Sequence, residues 1–369
     1  MHKPGKIKTM LIDFYGLFVS RVVLIVVLLV TGSCGKRSDE IRNNLLPTAS
    51  FSIEKTKIYV GQKIRFVDNS SDQDGEIVRW EWNFGDGSGS GEQNPVHTYK
   101  VDGEYTVTLL VRDSDNDTDL LSKTIVVLPA SQRIRVMTYN IHAGVSSSGV
   151  FDLEAIADVI NTCNPDYVAL QEVDLNTVRN GKFDIAKILG EKTNMNYCFG
   201  RAIYFQEGEY GNAILSKNKM SSVGNLVIPS VNEERAALRA SFELANSQSF
   251  SFVSTHLDKG SDDAGKTARI NAAGLINSKF AKDDSPAIIA GDFNDVPSAD
   301  CISVLKEKWS FADTNNSPTY PSSNPVKKID YIAFYPATRW NVADVQVIRT
   351  LASDHNPLLI TLDINLADW

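Results

Sequence analysis

Cysteine is scarce: the 369 residues hold four, at Cys34, Cys163, Cys198 and Cys301. That is too few for a disulfide-stapled scaffold, and none falls in a Cys-x-x-Cys or Cys/His cluster, which argues against structural zinc. A membrane-spanning apolar run is missing as well. Residues 22–30 (VVLIVVLLV) are unbroken, but they are half of the ~20 apolar residues that a spanning helix needs. Positive charge is also in short supply. Formal charge is −8; Lys3, Lys6, Lys8 and Arg21 against Asp13 give the first 33 residues +3, and the rest carries −11. Such an acidic body, without a basic or aromatic track, does not gather duplex nucleic acid by charge alone, although a bound metal or local basic patch reverses the sign where it matters. What remains is ordinary globular composition, 43% hydrophobic and 22% charged, with room for two or three domains and a sizeable core.

The N-terminus reads as an export signal: a basic leader, the short apolar run, then Thr31-Gly32-Ser33-Cys34. Small residues directly before a cysteine resemble a bacterial lipoprotein signal, which implies cleavage after residue 33, lipidation of Cys34 and acyl chains that hold the chain at the cell envelope. Thr31 departs from the Leu, Val or Ala commoner there, and ordinary signal cleavage with an incidental cysteine is the other reading. Residues 34–46 then form a charged tether.

Residues 47–128 alternate apolar and polar in short runs separated by turn clusters, at 50–53, 63–68, 78–84, 105–112 and 123–128. About seven strands in so short a segment predict an all-β sandwich. Trp82-Asn83-Phe84-Gly85-Asp86-Gly87, with Asn94-Pro95-Val96-His97-Thr98-Tyr99 and residues 103–109 (GEYTVTL), resembles the PKD domain, an immunoglobulin-like module. The resemblance implies a spacer or adhesion role, contacting surface glycan or protein. Within it Asp72, Asp74 and Asp86 read as solvated turn acids, with Ca²⁺ binding the alternative, and His97 as structural. Residues 129–132 are a linker.

From residue 133 to 369 strands and helices mix. The most informative stretch is 286–296 (PAIIAGDFNDV): a buried strand that delivers Asp292, Asn294 and Asp295 at its carboxyl end, where layered α/β sheets place ligand sites. Taken alone it is equally an Asx-rich turn closing a strand. Other strand ends repeat the pattern with Asn140, Glu172, His256, Asp330, Asp354 and His355. Carboxylates, amides and imidazoles at so many strand ends suit metal-assisted phosphoryl chemistry, in which a cation offsets phosphate charge and a base positions water for in-line attack.

Seven motifs carry a second resemblance: Thr138-Tyr-Asn140-Ile, Leu170-Gln-Glu172-Val-Asp174, Gly211-Asn212-Ala-Ile-Leu-Ser216, Ser254-Thr-His256-Leu, Gly291-Asp292-Phe-Asn294, Ile329-Asp330-Tyr-Ile and Ser353-Asp354-His355-Asn-Pro-Leu. In this order they resemble the endonuclease/exonuclease/phosphatase superfamily. The resemblance implies an α+β sandwich of two sheets with outer helices, the four-layer deoxyribonuclease-like fold. It implies Glu172, Asn140 and Asp354 as ligands of Mg²⁺, with Mn²⁺ the alternative, and His355, oriented by Asp330, on the phosphoryl group. Asp292 positions or deprotonates water, Asn294 holds phosphate or water, and His256 stabilises developing charge; the base role stays open between Asp292 and His355. Arg179, Tyr210, Asn212 and Arg235 are candidate substrate contacts. Within the superfamily, residues 171–184 and 208–212 resemble a bacterial metal-dependent hydrolase group; Lys328, where that group often has Arg, and Asn180, where Ser or Thr is usual, depart from its pattern, which touches specificity. The expected activity is phosphoester hydrolysis on a lipid or sugar-phosphate headgroup. An extracellular nuclease and a glycan-binding lipoprotein with an idle hydrolase domain are the alternatives, and no obligate protein partner is expected.

Overall fold

Alternating apolar residues build the N-terminal sandwich. The computed structural model describes residues 44–55, 57–231 and 233–367; the stretch read as an export signal, Cys34 and nearly all of the expected tether lie outside them. Eight strands follow in order: β1 (Phe51–Ile53), β2 (Ile58–Tyr59), β3 (Ile64–Asp68), β4 (Ile77–Asn83), β5 (Gly89–Ser90), β6 (Val96–His97), β7 (Gly103–Asp113) and β8 (Thr118–Leu128). They form sheets of order β1-β3-β6 and β2-β8-β7-β4-β5. Phe51, Phe66, Trp82, Phe84, Tyr99 and Leu109 fill the space between. His97 stacks on Phe84 with ring centroids 4.2 Å apart and pairs with Asp86 at 2.8 Å, so both serve the turn that closes this core.

The second domain begins without a loose linker, because only Pro129 and Ala130 separate β8 from β9 (Ser131–Asn140). Its other strands are β10 (Tyr167–Leu175), β11 (Asn196–Phe205), β12 (Gly208–Ser216), β13 (Ser222–Ile228), β14 (Arg235–Glu243), β15 (Ser249–His256), β16 (Ala287–Asp292), β17 (Ser310–Phe311), β18 (Asp330–Tyr335), β19 (Trp340–Val347) and β20 (Leu358–Asn365). Helices α1 (Leu153–Cys163), α2 (Ile185–Thr193), α3 (Asp263–Phe280) and α4 (Asp300–Lys306) lie between them in sequence. Two six-stranded sheets result, of order β11-β12-β10-β9-β20-β19 and β13-β14-β15-β16-β18-β17.

The strand alternation shows why there are four layers. In β9, Ile134 and Val136 face the second sheet while Met137 and Tyr139 join the residues under α1 and α2. In β16, Ile288 and Ala290 enter the inter-sheet core while Ile289 packs under α3 and α4. A strand buried on both faces has no polar side to show, so it reads as a continuous apolar run. Helix starts follow capping chemistry: Asp152, Asp184 and Asp262 each accept a backbone N–H three residues on, with the chain extended at the cap.

Gly291 is required by close approach. A Cβ there would lie 1.9 Å from the Thr255 carbonyl oxygen on the neighbouring strand. Gly291→Ala is therefore expected to destabilise the fold by about 1–3 kcal/mol through overpacking and to push Asp292 out of line; urea denaturation measures the first, and an unchanged midpoint would show that the strands part without cost.

Candidate active site

One row of side chains runs across three strands. His256 on β15 is in parallel register with Asp292 on β16, and Asp292 is in antiparallel register with Asp330 on β18. Residues in register share a face, so an imidazole and two carboxylates point the same way from three adjacent strand ends. All three are at most 4% exposed. Across the gap, the loop before β20 supplies His355, whose Nδ1 lies 2.9 Å from Asp330 Oδ2 and whose Nε2 lies 3.7 Å from Asp292 Oδ2. Ser353 anchors that loop by donating to the Asn140 carbonyl at 2.8 Å.

The other sheet supplies Glu172 and Asn140. Strand β10 breaks its register with β12 between Leu170 and Val173, and Glu172 sits in this bulge at φ 57°. A non-glycine residue in the left-handed region costs backbone energy, and bulges next to functional sites re-aim a side chain. Here the bulge turns the carboxylate into a cavity of about 640 Å³ that His355 and Asp354 also line. Asn140 bridges the sheets: its Nδ2 donates to Glu172 Oε1 and to Asp292 Oδ2, both at 3.1 Å, and its Oδ1 accepts from His142 N–H. Its nitrogen therefore faces the carboxylates.

Charge is arranged unevenly. Burial works against a charged His355 ring, but Asp330, then Asp292 and Asp354, outweigh it and raise the pKa to about 10. His256 is the opposite case: burial, then the Arg235 guanidinium, His355 and Lys259, push it well below the usual range and keep it neutral. Asp292 is pushed up by burial and by Asp330 alongside it, with His355 opposing. A neutral His256 ring has one acceptor nitrogen, and two N–H groups approach it: Arg235 Nη1 at 3.3 Å from Nδ1 and the Asn294 amide at 2.8 Å from Nε2. Only one of them is satisfied by the ring at a time.

The donor set fits a hard divalent cation. Asp292, Asp330 and His355 hold one ligand atom each within 4.8 Å of one another, but a protonated His355 already supplies the positive charge in that group. Glu172 and Asp354 are carboxylates on the cavity wall with neither a histidine nor an arginine at hydrogen-bonding distance, His142 Nδ1 lying 4.0 Å from Asp354, whereas Asp295 is taken by Arg269. Two carboxylates with room for water are what Mg²⁺ takes.

The four candidate substrate contacts divide. Arg179, Tyr210 and Arg235 line a second cavity of about 240 Å³ that shares Glu172 and Lys259 with the first. Asn212 lines neither; it is buried between the sheets, donating to the Ala236 carbonyl at 2.8 Å. Lys328 is buried behind the site, paired with Asp313 at 2.7 Å, and Asn180 is buried with its Oδ1 accepting Phe183 N–H. The cavity wall also contains groups that strand-end reasoning passes over. Tyr320 packs on the His355 ring at 4.7 Å, Lys259 and Lys327 sit on loops around the opening, and Lys266 is in the first turn of α3. Arg269 is 4% exposed and ties Asp295 to the carbonyls of Asp258 and Gly260. Isolated loop residues have no periodicity to betray them.

Known proteins share this fold. The sequence pattern of the Endonuclease/Exonuclease/phosphatase family covers residues 137–355 and that of the PKD domain covers 44–127. The Escherichia coli protein YbhP is 27% identical over 61% of this chain and 94% of its own length. The microbial collagenase of Vibrio alginolyticus is 45% identical over 18% of this chain, which spans only 8% of the collagenase. Among solved structures, an endonuclease/exonuclease/phosphatase family protein of Bacteroides thetaiotaomicron superposes with a TM-score of 0.54 at 17% identity, over 64% of this chain and 96% of that one. The mannosyl-6-phosphatase of the same organism reaches 0.51 at 18% identity, over 62% and 99%. With the family pattern spanning more than half of the chain and the four-layer fold behind it, the protein belongs to the endonuclease/exonuclease/phosphatase family, and carries a PKD domain in front of the family domain.

Proposed function

We propose that the second domain is a divalent-metal-dependent phosphoesterase that hydrolyses a phosphodiester or phosphomonoester by in-line attack of water, its substrate a lipid or sugar-phosphate headgroup. The observation that carries this reading is the meeting of the His256–Asp292–Asp330 row with His355 on one side and Glu172 and Asp354 on the other, around a single cavity. Glu172 and Asp354, with Asn140 beside them, would hold Mg²⁺ or Mn²⁺, and the bound ion offsets phosphate charge and polarises a phosphoryl oxygen. Asp330 orients His355 through Nδ1, which leaves the protonated Nε2 aimed at the reacting phosphate. Asp292 lies between both histidines and is placed to orient water or take its proton. Asn294, whose own N–H holds Asp292 Oδ1 at 2.9 Å, and neutral His256 donate to phosphate oxygens as charge builds. Arg179, Tyr210 and Arg235 contact the rest of the substrate, and Asn212 acts on them by holding Ala236, the residue after Arg235.

Lys259 and Lys327 put positive charge at the cavity of an otherwise acidic chain, which suits a phosphorylated ligand. We further infer that the protein is exported and held at the cell envelope through lipidated Cys34, the PKD domain serving as spacer or contact module; among the described residues no helix is long and apolar enough to cross a membrane. Turnover of bis-p-nitrophenyl phosphate should require Mg²⁺ or Mn²⁺, vanish with chelator and fall at least about 100-fold in His355→Ala, the range typical of a lost acid–base group. Turnover that survives chelator sinks the metal-dependent reading. Release of nucleotides from DNA with a steep salt dependence, against no reaction of headgroup phosphates, would replace the substrate assignment with a nuclease. Absence of turnover on every ester would leave the idle, glycan-binding alternative.

A further inference from the structure

Beyond Glu172 the second cavity is walled by Arg179, Phe205, Tyr210, Glu233 and Arg235, and Lys259 stands where it opens into the first. We infer that this cavity is a subsite for one uncharged, hydroxyl-bearing six-membered ring, a pyranose or cyclitol, that belongs to the ester whose phosphate reacts next door. The inference rests on the phosphoesterase reading and names the part of the substrate that does not react.

Size comes first. At about 240 Å³ the cavity is smaller than the roughly 300–1,000 Å³ of sites that take drug-sized ligands, so it suits a single ring. Charge narrows the choice. Two arginines would ordinarily invite a second phosphate, but each arrives already neutralised. Arg179 forks onto Asp174, through Nε at 2.6 Å and Nη2 at 2.7 Å, and the Asp174 side chain is 0% exposed. Arg235 pairs with Glu233 at 2.8 Å. The remaining cation, Lys259, stands where the cavity opens into the first, on the side of the reacting phosphate. Such a lining offers donors and acceptors in balance, which neutral hydroxyls use and a second anion does not.

Preorganisation supports the same choice. Thr177 Oγ1 also donates to Asp174 at 2.6 Å, so the carboxylate that holds Arg179 is itself held. The guanidinium lies over Phe205 at 4.8 Å and Tyr210 at 5.5 Å, which fixes its plane and leaves Nη1 without a hydrogen-bond partner among the described residues. Donors immobilised in advance lose little entropy on binding. Arg235 then connects the two cavities, because its Nη1 is 3.3 Å from His256 Nδ1. A hydroxyl on Arg235 would bias the orientation of a ring that faces the reacting phosphate, so the subsite acts on kcat as well as on KM.

The test uses the full chain in detergent with Mg²⁺. It compares methyl phosphate, hexose 6-phosphates, a myo-inositol monophosphate and hexose 1,6-bisphosphate, in wild type, Phe205→Ala and Glu233→Gln, with thermal unfolding confirming that each variant folds. The ring-bearing monoesters should exceed methyl phosphate in kcat/KM by at least about 30-fold, the discrimination a site built for hydroxyls gives readily, and both variants should collapse that ratio about tenfold or more. The pyranose and cyclitol arms identify the ring. A ratio near one, or a ratio that both variants preserve, overturns the subsite and leaves the phosphoesterase reading standing. A tenfold lower KM for the bisphosphate overturns the uncharged assignment. If no ester turns over, the functional reading has failed, and a second measurement decides the subsite: saturation-transfer NMR with methyl hexopyranosides and myo-inositol should give ring-proton signals that Phe205→Ala removes. Silence in wild type overturns the inference.

Discussion

Asp292→Asn is expected to lower kcat by about 10²–10⁴-fold, the contribution of a positioned acid–base group, while the protein stays as stable as wild type or gains stability. The two halves have one cause. Asp292 is 1% exposed and shares its row with a second carboxylate, and burial followed by Asp330 raises its pKa, so the folded protein holds the ionised form at a cost. For an acid shifted in this direction the sign is clear. The shift contributes stability at low pH, where the folded state keeps the proton, and subtracts from it once pH rises past the unfolded carboxyl value. Asparagine removes that charge and keeps an oxygen for the Asn294 N–H. It loses one hydrogen bond, since the Asn140 Nδ2 that donates to Asp292 Oδ2 would meet another amide, and the 3.7 Å ion pair with His355, whose ring Asp330 still holds at 2.9 Å. Stability retained at the expense of activity is the usual mark of a charge kept for chemistry. Steady-state kinetics on bis-p-nitrophenyl phosphate beside thermal unfolding at pH 8 would measure both. A kcat within threefold of wild type would remove Asp292 from the reaction.

Glu172→Gln is expected to weaken activation by Mg²⁺ by at least about 10–100-fold, the loss that follows even when an outer partner of a metal ligand is removed. Glutamine keeps the length of the side chain and the acceptor for Asn140 Nδ2, so the bulge at φ 57° is kept and the lost negative charge is the variable under test. Saturating Mg²⁺ should recover part of the rate, because the His256–Asp292–Asp330 row is untouched. The activation curve should move to higher Mg²⁺, and stabilisation of the fold by Mg²⁺ in thermal unfolding should weaken in parallel. Superimposable curves for the two proteins would place the ion elsewhere, the Asp292–Asp330–His355 group being the other set of ligand atoms close enough to share one.

Strands buried on both faces were legible, whereas the edge strands β11 and β13 were not. Residues 287–292 are buried throughout, so β16 shows as an apolar run with its polar end marked. Strand β11 at one edge mixes exposed and half-buried positions, and β13 at another is exposed along most of its length. Neither leaves a run or a clean alternation. The consequence is functional, since Ile203 and Phe205 of β11 wall the smaller cavity. The short helices α2 and α4 escaped for a related reason: they span two to three turns, too few for a period to declare itself.

The residue types at the strand ends follow from the chain alone, because a strand's polar tip is a local property: Asn140, Glu172, His256 and Asp292 stand where an apolar run stops, Asp330 and His355 where one is about to start. So does the order of the domains, since turn spacing and apolar period change together near residue 130. Which tips meet is settled only by register. His256, Asp292 and Asp330 share a row because β15, β16 and β18 pair without a slip, whereas a slip of one residue would turn a tip to the opposite face. The same holds for Asn212 and Arg179. No local pattern reveals that Asn212 turns inward between the sheets, or that the Arg179 charge is spent on a carboxylate buried behind it. Partnership and direction are long-range properties, decided when the two sheets close on each other.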